Sequence, residues 1–175
     1  IVPCTEISGD LKIHATTLLD LTGLENLESV GGDLYIMFDL DLTNLAGLEQ
    51  LEAVGGMLYF TFNHNLISIQ ALANLSSVGD EMIIENHSNL TTLAGLDAVP
   101  SLFALTIRYN DALTSINGLA NLSTVGENLY IRGNPALTSL DGLEGLTAIP
   151  GDLTLQANAL LDDINGLNPL TTVGA

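Results

Sequence analysis

Positive charge is nearly missing from this chain: three Lys and Arg residues stand against 21 Asp and Glu, a formal net charge of −18. Nucleic-acid binding, which needs clustered Lys and Arg, is argued against, and so is adhesion to anionic lipid. Cysteine occurs once, at Cys4, so no disulfide can form within the chain. Cys4 reads either as a small buried residue near the first turn of the fold or as half of a bridge to a cysteine elsewhere. Long apolar runs are also absent. Although 47% of the residues are apolar, no run approaches the roughly 18–20 residues of a membrane span, and no membrane insertion is expected. No secretory leader opens the chain, which fits a mature segment or a piece of a longer protein.

What the chain has is a repeat. The second apolar residue of each L-x-I segment falls at Ile13, Ile36, Phe60, Ile84, Ile107, Ile131 and Leu155, always 23 or 24 residues apart. Seven copies at that regularity predict a solenoid with one coil per copy, and one domain covering residues 1–175. Such a fold offers long flat faces rather than an enclosed pocket. Within a coil, apolar residues recur every third position, as at Leu113, Ile116, Leu119, Leu122 and Val125, or Leu137, Leu140, Leu143, Leu146 and Ile149. A step of three fits neither the period of a lone strand nor that of a helix, and the interspersed glycines oppose long helices. The pattern predicts a leucine-rich-repeat-like β-solenoid, its L-x-I segments stacked as one parallel sheet.

Two corners are legible. Three residues after each mark runs a polar column, Thr16, Asp39, Asn63, His87, Asn110, Asn134 and Asn158, suited to satisfying backbone groups of adjacent coils. Eleven residues after it stand Gly47, Gly95, Gly118, Gly142 and Gly166, with Ala71 as the exception. Glycine there suits positive φ or a close backbone approach.

Chemistry is sparse. Acids stack in two rows, Asp10, Asp33, Glu81 and Asp152, and Glu25, Glu49, Asp97 and Glu144. No dense D-x-D-x-D loop accompanies them, so calcium is allowed but not predicted, and no cofactor is expected. His14, His64 and His87 fall at different phases of the repeat and lack cysteine partners. With no cleft to shift carboxylate pKa values, a non-enzymatic role is expected. Sequons at Asn74, Asn86, Asn89 and Asn121 mark surface turns. Rows of hydroxyls at Thr91, Thr92, Thr114, Ser115, Thr138 and Ser139 would suit an ice- or crystal-binding plane, but Ile67, Asp162 and Asp163 interrupt them.

The best binding candidate is the outer face of the L-x-I sheet. Six of the eight aromatics, Tyr35, Phe38, Tyr59, Phe62, Tyr109 and Tyr130, lie one residue before or two after the mark, and Arg108 and Arg132 lie one after it. Exposed aromatics on an acidic surface are the kind of patch that marks an interaction site. The competing reading is that these aromatics form cross-strand ladders, with Glu85 pairing Arg108.

The opening Cys4-Thr5-Glu6-Ile7-Ser8-Gly9-Asp10-Leu11-Lys12-Ile13 resembles the start of a receptor L domain. That leucine-rich-repeat-like module occurs in insulin and epidermal growth factor receptors and in microbial surface proteins. The V-G-G-x-L-x-I phrase of Val30 to Ile36 and Val54 to Phe60, and N-x-x-L-T-S-L from Asn134 to Leu140, resemble it too. The resemblance covers residues 4–175. It implies a right-handed solenoid without catalysis, at the cell surface or outside the cell, that recognises a peptide, protein or glycan. The chain departs from the family in its more regular coils and in lacking a second cysteine to cap the first coil. A structural alternative is a spacer or self-assembling subunit of a surface layer or filament. In that case Leu153, Leu155, Leu161, Ile164, Leu167 and Leu170 would form an open end, covered by more chain or by another molecule stacked end to end.

Overall fold

The computed structural model describes residues 4–174. Seven strands, Leu11–His14, Leu34–Met37, Leu58–Thr61, Met82–Glu85, Leu105–Arg108, Leu129–Arg132 and Leu153–Gln156, form one parallel sheet in chain order. Each mark pairs with the next mark, as in Ile36 with Phe60 and Ile107 with Ile131. A slip of one residue would turn the apolar positions outward, so burial of one face holds this register. The fold is the expected parallel β-solenoid of about seven turns.

The rest of each coil returns to the sheet along two further sides. One is built from two-residue strands: Glu6–Ile7, Ser29–Val30, Ala53–Val54 and Ser77–Val78 form a short parallel sheet, and Ser101–Leu102 pairs with Thr124–Val125. The other is held by single bridges such as Thr92 to Ser115 and Ser139 to Asp163. These turns explain the step of three: each third residue points inward at a new angle. Leu113, Ile116, Leu119, Leu122 and Val125 are all fully buried, and each such side chain contributes about 1.5–3 kcal/mol by leaving water. Among the described residues, helix is confined to three-residue 3-10 turns at Gln70–Leu72, Asn117–Leu119 and Asn165–Leu167.

The polar column forms a ladder inside the first corner. Asn134 Oδ1 accepts the Asn110 amide N–H at 3.1 Å, while Asn134 Nδ2 donates to the Ile107 carbonyl at 3.0 Å. Asn110, Asn158 and Asn63 repeat one or both bonds. Asn63, Asn110 and Asn134 are completely buried and Asn158 is half-buried. Each asparagine thus closes a donor and an acceptor that the tight corner removes from the regular strand pairing.

The second corner comes in two forms. Gly23, Gly47, Gly95 and Gly142 have φ between 108° and 114°. Each donates its N–H to a carboxylate two residues on: Glu25, Glu49, Asp97 and Glu144. That acid row therefore caps turns. Where the 3-10 turn replaces this corner, Ala71, Gly118 and Gly166 occupy the glycine position and no acid follows at the second residue. Asp10 and Asp33 likewise accept backbone N–H groups, of Asp33 and Met57. Among the described residues no three His, Cys, Asp or Glu side chains gather as a metal-ion group.

Other surface features also resolve. Cys4 is exposed rather than buried, because it precedes the edge strand Glu6–Ile7, which has a neighbour on one side only. Several hydroxyls of the Ser and Thr rows serve local turns: Thr92 accepts the Ala94 N–H, Ser115 the Asn117 N–H, and Ser139 donates to Asp141. The sequon amides of Asn74 and Asn121 donate to the Glu49 and Asp97 carbonyls at 2.7 Å. At the last coil, Ile164 is 57% exposed, and Leu153, Leu155, Leu161, Leu167 and Leu170 are half-buried.

Candidate functional site

The outward side chains of the seven strands form one continuous face. Because neighbouring coils pair in register, residues before the mark make one row, from Lys12 through Tyr35, Tyr59, Ile83, Thr106 and Tyr130 to Thr154. Those after the mark make a second, from His14 through Met37, Thr61, Glu85, Arg108 and Arg132 to Gln156. Steps along each row are about 4.8 Å.

The third aromatic-bearing column is not strand at all. Ala15, Phe38, Phe62, Asn86, Tyr109 and Ala157 all have φ between 52° and 59°, and Gly133 has 67°. This is the left-handed region, where only Gly and, to a lesser degree, Asn are at ease. Here the strand breaks off into the first corner, yet its N–H stays paired to the next coil: Phe38 donates to Thr61 O and Tyr109 to Arg132 O. Phe38, Phe62 and Tyr109 therefore rim the face at the strand exits. Sequence reading placed them on the face itself. Asn86 and Gly133 were the only residues in that column to signal the left-handed turn.

The eight candidate residues divide into two patches. Over the second and third strands, Tyr35 and Tyr59 meet edge to face at 5.9 Å, and Phe38 stacks on Phe62 at 4.9 Å and 7°. Phe38 is 49% exposed, whereas Tyr35, Tyr59 and Phe62 are half-buried. Over the fifth and sixth strands lie Arg108, Tyr109, Tyr130 and Arg132. Tyr109 is 42% exposed, and its ring fills the space that a side chain at Gly133 would need.

Between the patches sits Glu85, almost fully buried on the face. It accepts hydrogen bonds from Tyr59 at 2.9 Å and Thr61 at 3.1 Å, and pairs with Arg108. Burial works against its charge, but Arg108, Tyr59 and Thr61 outweigh that and hold the Glu85 carboxyl below its ordinary range. Burial first, and then the Glu85 carboxylate, pushes the Tyr59 hydroxyl up. The pairing of Glu85 with Arg108, one of the two readings of these residues, is present. Arg108 is accordingly a partner in the protein's own network.

Past Arg108 the face opens into a groove of about 370 Å³ lined by Thr106, Arg108, Tyr130, Arg132, Thr154 and Gln156. Thr106, Thr154 and Gln156 were placed in their rows by the repeat, but nothing in the sequence picked them out as lining a hollow. At the strand starts the groove is acidic: Thr106 donates to Glu81 at 2.6 Å and Tyr130 to Asp152 at 3.4 Å. At the strand exits it is basic. No protein-family model matches the chain, and no curated protein is significantly similar to it.

Proposed function

We propose that this chain is a non-enzymatic recognition module of receptor L domain type, working outside the cell or at its surface. It binds a peptide, protein or glycan across the outer face of its parallel sheet. The observation that carries this reading is the exposure of Phe38 and Tyr109 at left-handed corner positions, where Ala, Asn or Gly serve the equivalent coils. Aromatics held partly in solvent at conformational cost are better explained by a ligand than by the core. Nuclear magnetic resonance mapping with panels of oligosaccharides and peptides tests it. Binders should shift signals along the strands and their exits, and a Phe38→Ala, Tyr109→Ala double variant should lose them while keeping its fold. Binders that map only to the other two sides would refute the reading.

A second reading, self-association of copies, is favoured by apolar surface on the first and last described coils. Leu11, Ile13, Leu18, Leu21 and Leu24 line a hollow of about 320 Å³ at the first coil, and Ile164 is exposed on the last. Sedimentation at rising concentration tests it: a monomer throughout removes this alternative.

A further inference from the structure

We infer that the groove over the last three strands is a carboxylate-binding subsite, that Arg132 holds the carboxylate, and that the ligand is an oligosaccharide carrying an isolated uronate. The inference rests on the sheet-face reading and narrows it.

Half of the six side chains that line the groove are already engaged. Arg108 is held by Glu85, the Thr106 hydroxyl by Glu81, and the Tyr130 hydroxyl leans on Asp152. Arg132 makes no ion pair among the described residues, while Lys12 and Arg108 each have one. In a chain with 21 acids and three bases, chance and stability both favour pairing every base. Arg132 is nonetheless braced, its guanidinium 5.8 Å from the Tyr109 ring centroid. A guanidinium supported on an aromatic face keeps its planar fork of N–H donors available for a planar oxyanion. Gln156 is its register partner and Thr154 that of Tyr130. Neither side chain makes a hydrogen bond among the described residues, so two further polar groups stand beside Arg132 uncommitted.

The far bank identifies the rest of the ligand. Glu81 and Asp152 lie four residues or about 13 Å along the strands from the arginine row, and their carboxylates reach in to Thr106 and Tyr130, the row two residues or about 6.6 Å from the arginines. A uronate matches this polarity, with its carboxylate on Arg132 and ring hydroxyls donating to the acidic bank. A peptide carboxyl terminus would also meet Arg132, but its main chain brings one N–H donor per residue rather than a rim of hydroxyls. A polyuronate would feel the chain's −18 charge beyond the roughly 8 Å screening length of physiological salt. Sparse carboxylates among neutral sugars fit better. The volume, about 370 Å³, lies within the roughly 300–1,000 Å³ usual for ligand clefts.

The test titrates four probes into isotope-labelled protein at about 0.15 M salt. They are a disaccharide ending in glucuronic acid, its neutral glucose counterpart, polygalacturonate, and a tripeptide with a free carboxyl terminus. The acidic disaccharide should shift the Arg132 Nε–H and Gln156 side-chain signals and bind about tenfold or more tightly than the neutral one. Arg132→Gln, at an exposed position, should keep the fold's spectrum and erase that difference, and Arg132→Lys should restore only part of it. Equal affinity in Arg132→Gln, preference for the tripeptide or for polygalacturonate, or no shift at Arg132 and Gln156 would overturn the inference. Binding near Phe38 and Phe62 that ignores Arg132→Gln would do so while leaving the sheet-face reading standing. Binding confined to the solenoid's other sides would sink both.

Discussion

His87 is the one imidazole in the corner ladder, and replacing it with asparagine should stabilise the protein. It is fully buried; its Nδ1 meets the Asn63 carbonyl at 3.2 Å, and its own N–H donates to Asn110 Oδ1. Its Nε2 is buried with no hydrogen-bond partner among the described residues. A ladder asparagine would present an oxygen to the Asn63 N–H, the bond that Asn134 makes to Asn110 two rungs away. His87 offers no such oxygen, and the Asn63 amide lacks that bond. His87→Asn should restore it, supply an amide donor for the Phe60 carbonyl, and remove the stranded ring nitrogen. Two bonds are gained and the Nδ1 bond to the Asn63 carbonyl is lost, each worth about 0.5–1.5 kcal/mol, while removing the stranded Nε2 relieves about 1–3 kcal/mol. The smaller side chain leaves a void of a few tens of Å³, which at ~24 cal/mol per Å³ costs about 1 kcal/mol. The net gain at neutral pH should be about 1–2 kcal/mol.

Acid should widen that gain. Burial is the main reason that the His87 pKa falls from 6.5 to about 4; the nearby His64 adds to it, and the Asn63 and Phe60 carbonyls and Glu85 oppose it. The unfolded chain therefore takes up a proton before the folded one does. Stability is full above about pH 6.5, declines as the pH falls towards 4, and levels off below. The loss attributable to this residue approaches about 3 kcal/mol. The asparagine variant lacks this term, while the carboxylates titrate alike in both proteins and cancel in the difference. Urea unfolding at about pH 7.5, 6.0 and 4.5, which span the His87 transition, reads the difference directly, with equal m-values required for the comparison. A variant no more stable than the parent at neutral pH, or a difference that does not grow in acid, would refute the ladder argument.

Three further substitutions probe the corners, the last of them as a control. Asn134→Leu should cost about 1–3 kcal/mol despite adding apolar surface, because it strands the Asn110 N–H and the Ile107 carbonyl in the interior; urea denaturation measures this. Gly142→Ala should cost about 2 kcal/mol or more, since φ is +108° and the new Cβ would lie 2.6 Å from the Ile116 carbonyl oxygen. Gly9→Ala, with nothing within 4 Å of the new carbon, should stay within about 0.5 kcal/mol; thermal melts of the two alanine variants measure both.

The fold was legible because a period of 23–24 residues leaves few ways to bury Leu113, Ile116, Leu119 and Leu122 together. The asparagine ladder was legible for the same reason: one polar residue type recurring at one phase needs a repeated backbone cause. The second corner was only half read. Gly47-Leu48-Glu49 and Gly142-Leu143-Glu144 form a positive-φ turn capped by the acid, whereas Asn117-Gly118-Leu119-Ala120 forms a 3-10 turn. The distinguishing residue lies two positions past the glycine. At the candidate site the rows could be written from the sequence, but not which arginine was free. Arg108 and Arg132 are equivalent in the repeat and differ because one coil earlier stands Glu85 beside Arg108, and Arg108 beside Arg132.

The left-handed column shows where stability stops explaining the sequence. A non-glycine residue at φ near 59°, as at Phe38, costs on the order of 1 kcal/mol relative to glycine. The Phe38–Phe62 stack returns about 0.5–1.5 kcal/mol once for the pair, so two strained backbones are roughly offset and no more. Ala15, Asn86, Gly133 and Ala157 show that the same corner accepts small residues. The N–H groups of Ala15, Asn86 and Gly133 pair with the next coil just as those of Phe38 and Tyr109 do, which pins the backbone whatever the side chain. The solenoid thus fixes the corner through its ladder and leaves the side chain free to vary. Large rings at Phe38 and Tyr109, about half in water, are then choices about the surface, and a surface choice that brings no net stability is one that a ligand can explain.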